Sequence, residues 1–293
     1  MTLYYNILAR KLGLAKASDW GIAIRSVNSF QTIIGHGCDE SSPFRIINNT
    51  KDYWFADPLL FSEHESTFLF VEAYSYERHK GELGVFDIIN GEAKNFRKII
   101  ETSTHMSYPF VFKWNDAYYM IPETGAAKEI VLYKAASFPD DWDVDKVLLS
   151  GGVYRDHTIY QDDDNILKMI SYRQEGSNRF NLKYFVDLFE LDMNKKELTL
   201  ITEKCDKEKI NRPAGPILNI DGHKYRLTQR CNRAYGESIY VFDMNNGLDI
   251  RRSQIINELR GQHINISDGS KPILLHTYSQ AGGYEVIDYR CRL

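Results

Sequence analysis

Short apolar runs alternate with polar turns along most of the chain, and from residue 57 the alternation repeats. Segments beginning Asp57-Pro-Leu-Leu-Phe, Tyr108-Pro-Phe-Val-Phe, Asp156-His-Thr-Ile-Tyr, Ala214-Gly-Pro-Ile-Leu and His263-Ile-Asn-Ile-Ser each open an apolar run, followed by a polar turn and a second run. Their starts lie 51, 48, 58 and 49 residues apart. A period of about 50 residues built from strand hairpins predicts an all-β, five-bladed β-propeller. Fifteen residues after each start stand Glu72, Glu123, Ser171, Gln229 and Tyr278. A residue that starts one strand and a residue that ends its hairpin partner share one end of the hairpin. The ten positions are therefore expected to converge in one axial funnel.

Residues 1–18 read as a short N-terminal helix, with Leu3, Ile7, Leu8 and Leu12 on one face and Lys and Arg towards its end. The propeller is expected over residues 19–293. Blades one to four fall at 58–100, 109–149, 158–202 and 216–256, with polar first turns such as Trp114-Asn-Asp and Asp221-Gly. Blade five has strands at 264–266, 273–276 and 284–289 and then the chain stops, so its outermost strand is missing. Two strand-like runs, at 20–25 and 30–34, have no blade of their own. A segment within residues 20–34 is predicted to pair with the strand at 284–289 and close the ring, which removes an unpaired edge.

Composition narrows the function. The chain has 293 residues, 43% of them hydrophobic, and a formal net charge of -4. Its pI near 6.1 gives no basic footprint for nucleic acid or an anionic membrane. Aromatic residues reach 13%, with 19 Tyr and 15 Phe, which suits packed strands and also stacking against sugar rings. Cys38, Cys205, Cys231 and Cys291 share no metal-ligand spacing and read as buried free thiols in a reducing compartment. No run is long enough for a transmembrane helix, and the first residues lack a signal-peptide pattern, so a cytoplasmic location without membrane insertion is expected.

The segments Phe55-Ala-Asp-Pro-Leu-Leu-Phe, Leu69-Phe-Val-Glu, Lys80-Gly-Glu-Leu-Gly-Val, Ser107-Tyr-Pro-Phe-Val-Phe, Tyr119-Met-Ile-Pro-Glu, Arg212-Pro-Ala-Gly-Pro, Arg226-Leu-Thr-Gln and Tyr235-Gly lie in the order expected of a known family. Over roughly residues 50–280 the chain resembles the N-terminal propeller domain of plant glucosamine inositolphosphorylceramide transferases. More distantly, it is similar to the five-bladed glycoside hydrolases of family 43 and the invertase–levansucrase group. That second resemblance implies a base at Asp57 and a pKa-tuning carboxylate at Asp156. The family's acid falls on Ala214, so ordinary hydrolysis lacks its proton donor.

The residues themselves offer four carboxylates for one funnel: Asp57, Glu72, Glu123 and Asp156. Like charges held together raise one another's pKa, which makes a carboxyl a proton donor near neutral pH. Asp57, Glu123 and Asp156 are the catalytic candidates, and Glu123 is the best replacement acid. Arg212 and Arg226 could hold a phosphate, or form inter-blade salt bridges instead. Glu72, His105, Tyr108, Gln229, Tyr235, His263 and Tyr278 complete the substrate-binding candidates. The run Asp162-Asp163-Asp164 imitates a sugar-nucleotide metal motif but sits in the first turn of blade three, away from the funnel. No cofactor or metal site is expected. The readings in play are glycosyl transfer from a phosphate-activated donor, a glycan or nucleotide-sugar binding module serving a separate glycan-assembly enzyme, and furanoside hydrolysis with a relocated acid.

Overall fold

The computed structural model describes residues 18–27, 42–176, 181–244 and 254–292. The helix expected before residue 18, the run at 30–34 and Cys38 lie outside those residues.

Two strands, β1 (Gly21–Ser26) and β2 (Arg45–Ile47), precede the first full blade. Blade one is the antiparallel sheet β3 (Tyr53–Glu63), β4 (Ser66–Ser75), β5 (Lys80–Ile89) and β6 (Glu92–Ile100). Blade two comprises β7 (Ser107–Trp114), β8 (Ala117–Glu123), β9 (Glu129–Ser137) and β10 (Asp141–Ser150). Blade three comprises β11 (Val153–Gln161), β12 (Leu167–Glu175), β13 (Lys183–Asp192) and β14 (Glu197–Cys205). In blade four the innermost strand is split into β15 (Arg212–Pro213) and β16 (Leu218–Ile220), beside β17 (His223–Arg230), β18 (Ser238–Asp243) and β19 (Gln254–Leu259).

Blade five closes the ring as the missing strand required. Its innermost strand is split into β20 (Pro272–Leu274) and β21 (Tyr278–Ala281), and both pair with β22 (Tyr284–Cys291). The N-terminal β1 then pairs antiparallel with β22, from Gly21 opposite Tyr289 to Ser26 opposite Tyr284. Strand β2 caps the outer edge through Ile22 opposite Ile47. Without β1 the row of polar groups along β22 would be an open edge.

Each of the five blade seams holds its own apolar cluster. Ile22, Ile24, Phe55, Leu69 and Val71 fill the seam between blades five and one. Phe70, Leu83, Met106 and Met120 fill the next. Tyr108, Phe110, Ile159 and Met169 join blades two and three. Tyr160, Ile170, Val186 and Leu188 face blade four, and Leu227, Val241, Tyr278 and Ile287 join four to five. Inner strands are sandwiched between two seams, so Leu69, Phe70 and Val71 are all fully buried although they alternate in direction. The outer strands touch water and are mixed, as in β10 and β14.

Two expectations fail. His263 starts no inner strand; it is exposed at the end of a 3-10 turn, Gly261–His263. The register explains this. Ala56 pairs with Glu72 and Ser107 with Glu123, and the same separation recurs in blade five as Leu274 with Arg290. The fifth repeat therefore begins near Leu275, and the earlier apolar residues Ile264 and Ile266 pack into the core beside Phe44 instead. Among the described cysteines, Cys205, Cys231 and Cys291 are free, but none is fully buried: Cys231 and Cys291 are half-buried, and Cys205 is exposed because it ends the solvent-facing β14.

Candidate functional site at the propeller axis

Three inner strands carry the same backbone irregularity near their start. Asp57, Tyr108 and Asp156 have φ of 48°, 48° and 43°, a left-handed conformation unusual outside glycine. Each sits in a β-bulge where the ladder skips register, in β3, β7 and β11. Bulges turn side chains out of the regular pleat. Here they also release backbone N–H groups towards the neighbouring blade. The Asp57 N–H donates to Asp288 Oδ2 (3.1 Å), and the Tyr108 N–H donates to Asp57 Oδ2 (3.2 Å).

At the floor lies a charge triad. His276 Nε2 is 3.0 Å from Asp57 Oδ1, and its Nδ1 is 2.8 Å from Asp288 Oδ2, an ion pair whose angle falls short of a hydrogen bond. All three side chains are buried. Burial opposes charge on His276, but Asp288 and Asp57 outweigh it and raise its pKa to about 10. Burial likewise works against the Asp57 carboxylate, yet His276, Arg212 and the Thr277 hydroxyl (2.9 Å) bring its pKa below the usual value. Trp20 covers the imidazole with ring centres 4.1 Å apart. Gly236 makes that closeness possible, since a Cβ there would lie 2.9 Å from Trp20 Cη2. Asp57, His276 and Asp288 also place ligand atoms within 4.8 Å of one another, a spacing open to a metal ion. Both imidazole nitrogens already face carboxylates at contact distance, and an imidazole held protonated up to about pH 10 has no free lone pair for a metal, so the triad fits an ion-pair cluster better than a cation cage.

Beside it is a second network, centred on Arg212 at the start of β15. Its guanidinium grips Asp156 with two bonds, Nε to Oδ2 (2.5 Å) and Nη2 to Oδ1 (3.1 Å), and reaches Glu123 Oε2 (3.2 Å). Gln229 Nε2 adds a bond to Asp156 Oδ2 (2.9 Å). Arg155 Nη1 holds the other Glu123 oxygen at 2.8 Å. Burial pushes the Glu123 pKa up, Arg155 pulls it down and Asp156 pushes it up again, leaving it at about 7. Tyr235, 38% exposed, lies over Arg212 with the guanidinium 5.1 Å from its ring centre. Glu72 stands nearby, 6% exposed, and burial followed by the Asp57 charge raises its pKa well above the ordinary value.

The axis thus brings together Asp57, Glu72, Glu123, Asp156, Arg212 and Gln229, with His105 and Tyr235 at the mouth. Other candidates go elsewhere. The Tyr108 ring is fully buried between blades two and three, with its hydroxyl 3.1 Å from Thr158 Oγ1. Tyr278 turns into the seam between blades four and five, where its hydroxyl donates to Glu285 and lies 3.1 Å from Gln280 Oε1. In both, the hydroxyl already has a partner within the protein. Arg226 lies in the seam between blades three and four, bonded to Asn211 Oδ1 (2.9 Å) and stacked on Phe242, so the expected Arg212–Arg226 phosphate clamp does not form. Alternation along β17 sends Arg226 to the neighbouring blade while Gln229 reaches the axis. His263 is outside the site. Ala214 is fully buried in the core. Asp162 caps its own turn, accepting from the N–H groups of Asp164 and Ile166.

Sequence reasoning missed Trp20, Arg155, Thr277 and Asp288. Asp288 carried no repeat signal, since the blade-five register puts Arg290 where blades one and two have Glu72 and Glu123. Trp20 had no such signal, being brought in only by ring closure.

Comparison with known proteins agrees with this architecture. The catalytic domain of a GH62 α-L-arabinofuranosidase from Coprinopsis cinerea superposes with a TM-score of 0.60 at 12% identity, covering 93% of this chain and 97% of that one. A thermostable family-43 glycoside hydrolase gives 0.58 at 13% identity, covering 84% and 91%. These likenesses concern the fold. At the sequence level, glucosamine inositolphosphorylceramide transferase 1 of Oryza sativa subsp. japonica is 28% identical over 190 residues, covering 64% of this chain and 26% of that protein. Its Arabidopsis thaliana namesake is 28% identical over 193 residues, covering 64% and 25%. The chain thus spans about a quarter of the length of these relatives. Among the described residues no helix is long and apolar enough to cross a membrane. The family described as "Glucosamine inositolphosphorylceramide transferase 1, N-terminal" matches residues 44–257, blades one to four, and the chain belongs to that family.

Proposed function

We propose that the chain is a carbohydrate-active propeller that moves a glycosyl group at its axis, from a phosphate-activated donor to an acceptor hydroxyl. The observation that carries this is Glu123, a buried carboxyl between two arginines and an aspartate with a pKa of about 7. A group that titrates near neutral pH is matched to proton transfer there. In the step, the acceptor oxygen bonds to the anomeric carbon and its proton passes to the Glu123 carboxylate. The bond from that carbon to the donor phosphate breaks with its electron pair on the phosphate oxygen. Such a leaving group needs no acid, consistent with the buried Ala214 where related hydrolases place one. Arg155, 32% exposed at its side chain, is placed to balance the departing charge. Asp57, with a lowered pKa and donors on both oxygens, is a weak base, and we assign it and Asp156 to holding the site. The transferase name of the relatives supports the same class of reaction.

The second reading, a module that binds a glycan for a separate glycan-assembly enzyme, is favoured by one feature. Two surface depressions, of about 430 and 260 Å³, lie near Lys271 and Arg230 at the edge of blades four and five, and neither is lined by the axial carboxylates. The test is release of nucleoside diphosphate from UDP- and GDP-sugars with neutral acceptors. Glu123→Gln should lower turnover about 10²–10⁴-fold with donor affinity nearly unchanged. Wild-type protein that binds glycans but turns over no donor would replace transfer with the binding-module reading.

A further inference from the structure

The side of blade one that faces blade two carries a built but unused polar floor. Glu72 and Tyr74 are two apart on β4 and so share a face, and Trp54 lies directly opposite Tyr74 on β3. The Trp54 and Tyr74 rings stack with centres 4.5 Å apart and planes 10° from parallel, and both are half-buried. The His105 ring follows, 6.5 Å from that of Tyr74, and 38% of its side chain is exposed. Below this aromatic step lies Glu72. Its Oε1 is buried and has no hydrogen-bond partner among the described residues, a costly arrangement for a group that only fills space.

The floor is also pre-set. The Gly81 N–H donates to His105 Nδ1 at 2.8 Å. Burial, reinforced by Arg155 and Arg212, lowers the His105 pKa to about 4, so at neutral pH its proton sits on Nε2. That Nε2 stands 3.6 Å from Glu72 Oε1, too far for a strong mutual bond. Gly81 is required by space rather than by its backbone angles. A Cβ there would lie 2.3 Å from the Met106 carbonyl and 2.5 Å from Glu72 Oε1. Burial and the Asp57 charge raise the Glu72 pKa well above its ordinary value, which disfavours its ionised form, and His105 is neutral at pH 7. An aromatic platform with a few fixed polar groups contrasts with the ion-paired network around Arg212. It suits a ligand with one apolar face and hydroxyl edges.

We propose that this groove is a subsite for the uncharged pyranose ring of a glycan acceptor, stacked on the Trp54–Tyr74 step, with Glu72 and His105 bonding its hydroxyls. The assignment rests on the reading that the axis handles glycosyl groups, but its test does not need turnover. Ligand-observed NMR is run on the full chain with methyl β-D-glucopyranoside and with its uronic acid counterpart. The neutral glycoside should bind more tightly than the anionic one. Trp54→Ala should weaken it about tenfold or more, Trp54→Phe should recover most of that loss, and Glu72→Gln, which keeps a polar group of the same shape, should bind more tightly than Glu72→Leu. Recovery in Trp54→Phe separates lost stacking from lost folding. Equal binding by wild type and a folded Trp54→Ala variant, preference for the uronide, or no binding by wild type would overturn the subsite. Binding that depends on Trp54 in a protein without turnover would keep the subsite and remove the transfer reading.

Discussion

Asp57 of the first blade and His276 of the last meet at 3.0 Å, so the ion pair at the floor of the site also ties the two ends of the ring together. Asp288, on the far side of the imidazole, receives the N–H groups of His276, Thr277 and Asp57. The closure of the fold and the electrostatics of the site are therefore one structure.

Removing the cation from this triad should be severe. In His276→Ala two buried carboxylates lose their shared partner. Loss of one member of a buried ion pair costs about 3–5 kcal/mol. Denaturant unfolding should show a lower midpoint with an unchanged slope. A loss under about 1 kcal/mol would mean that the triad is solvated and not structural.

Alkaline pH should act on the same group. The His276 pKa is raised from 6.5 to about 10 on folding. A raised pKa means that the folded state holds the proton more tightly, so its contribution is complete below pH 6.5 and is lost as pH rises through 10. Wild-type protein should lose stability over that interval more steeply than His276→Asn. Parallel stability curves for the two proteins would contradict the assigned charge state.

Arg212 should control the titration of Glu123. Arg212→Ala removes the cation shared by Glu123 and Asp156, so the Glu123 midpoint should move above about 7 and thermal stability should fall. Arg212→Lys keeps the charge but not the two-pronged grip on Asp156, and should recover only part of either effect. The carboxyl carbon of labelled Glu123 reports the midpoint directly by NMR. An unmoved midpoint would mean that burial alone sets it.

Ring closure can be tested by truncation. Deleting residues 1–27 removes β1, exposes the β22 edge and strips Ile22 and Ile24 from the seam with blade one. The shortened chain should melt at least several degrees lower and associate through the free edge. Light scattering and thermal unfolding would reveal both effects. A monomeric chain with the original melting temperature would show that β1 does not close the ring.

The blade positions were legible because each blade is a local object. Hairpins pair neighbours in sequence, and turns such as Asp221-Gly mark their ends. The same locality brought Asp57, Glu72, Glu123 and Asp156 to one end, since strand starts and partner ends share a side. Blade five was misread because its inner strand is split and short, while Ile264 and Ile266 are apolar for another reason, their packing beside Phe44. Tyr108, Tyr278 and Arg226 show a further limit. Position along a strand names the end of the blade, but not whether a long side chain turns to the axis or into a seam.

The sequence by itself determined the all-β repeat, the number of blades, the need for an N-terminal strand and the carboxylate-bearing end, because all of these follow from local pairing and periodicity. Only the tertiary structure decided which charges meet. The Glu123 pKa is set by burial, which raises it, against Arg155 and Arg212 from the next two blades, which lower it, and His276 owes its charge to Asp288 and to Asp57 from across the closure. Coulombic and desolvation effects depend on distances of a few ångströms between residues remote in the chain, and such distances exist only once the ring has closed.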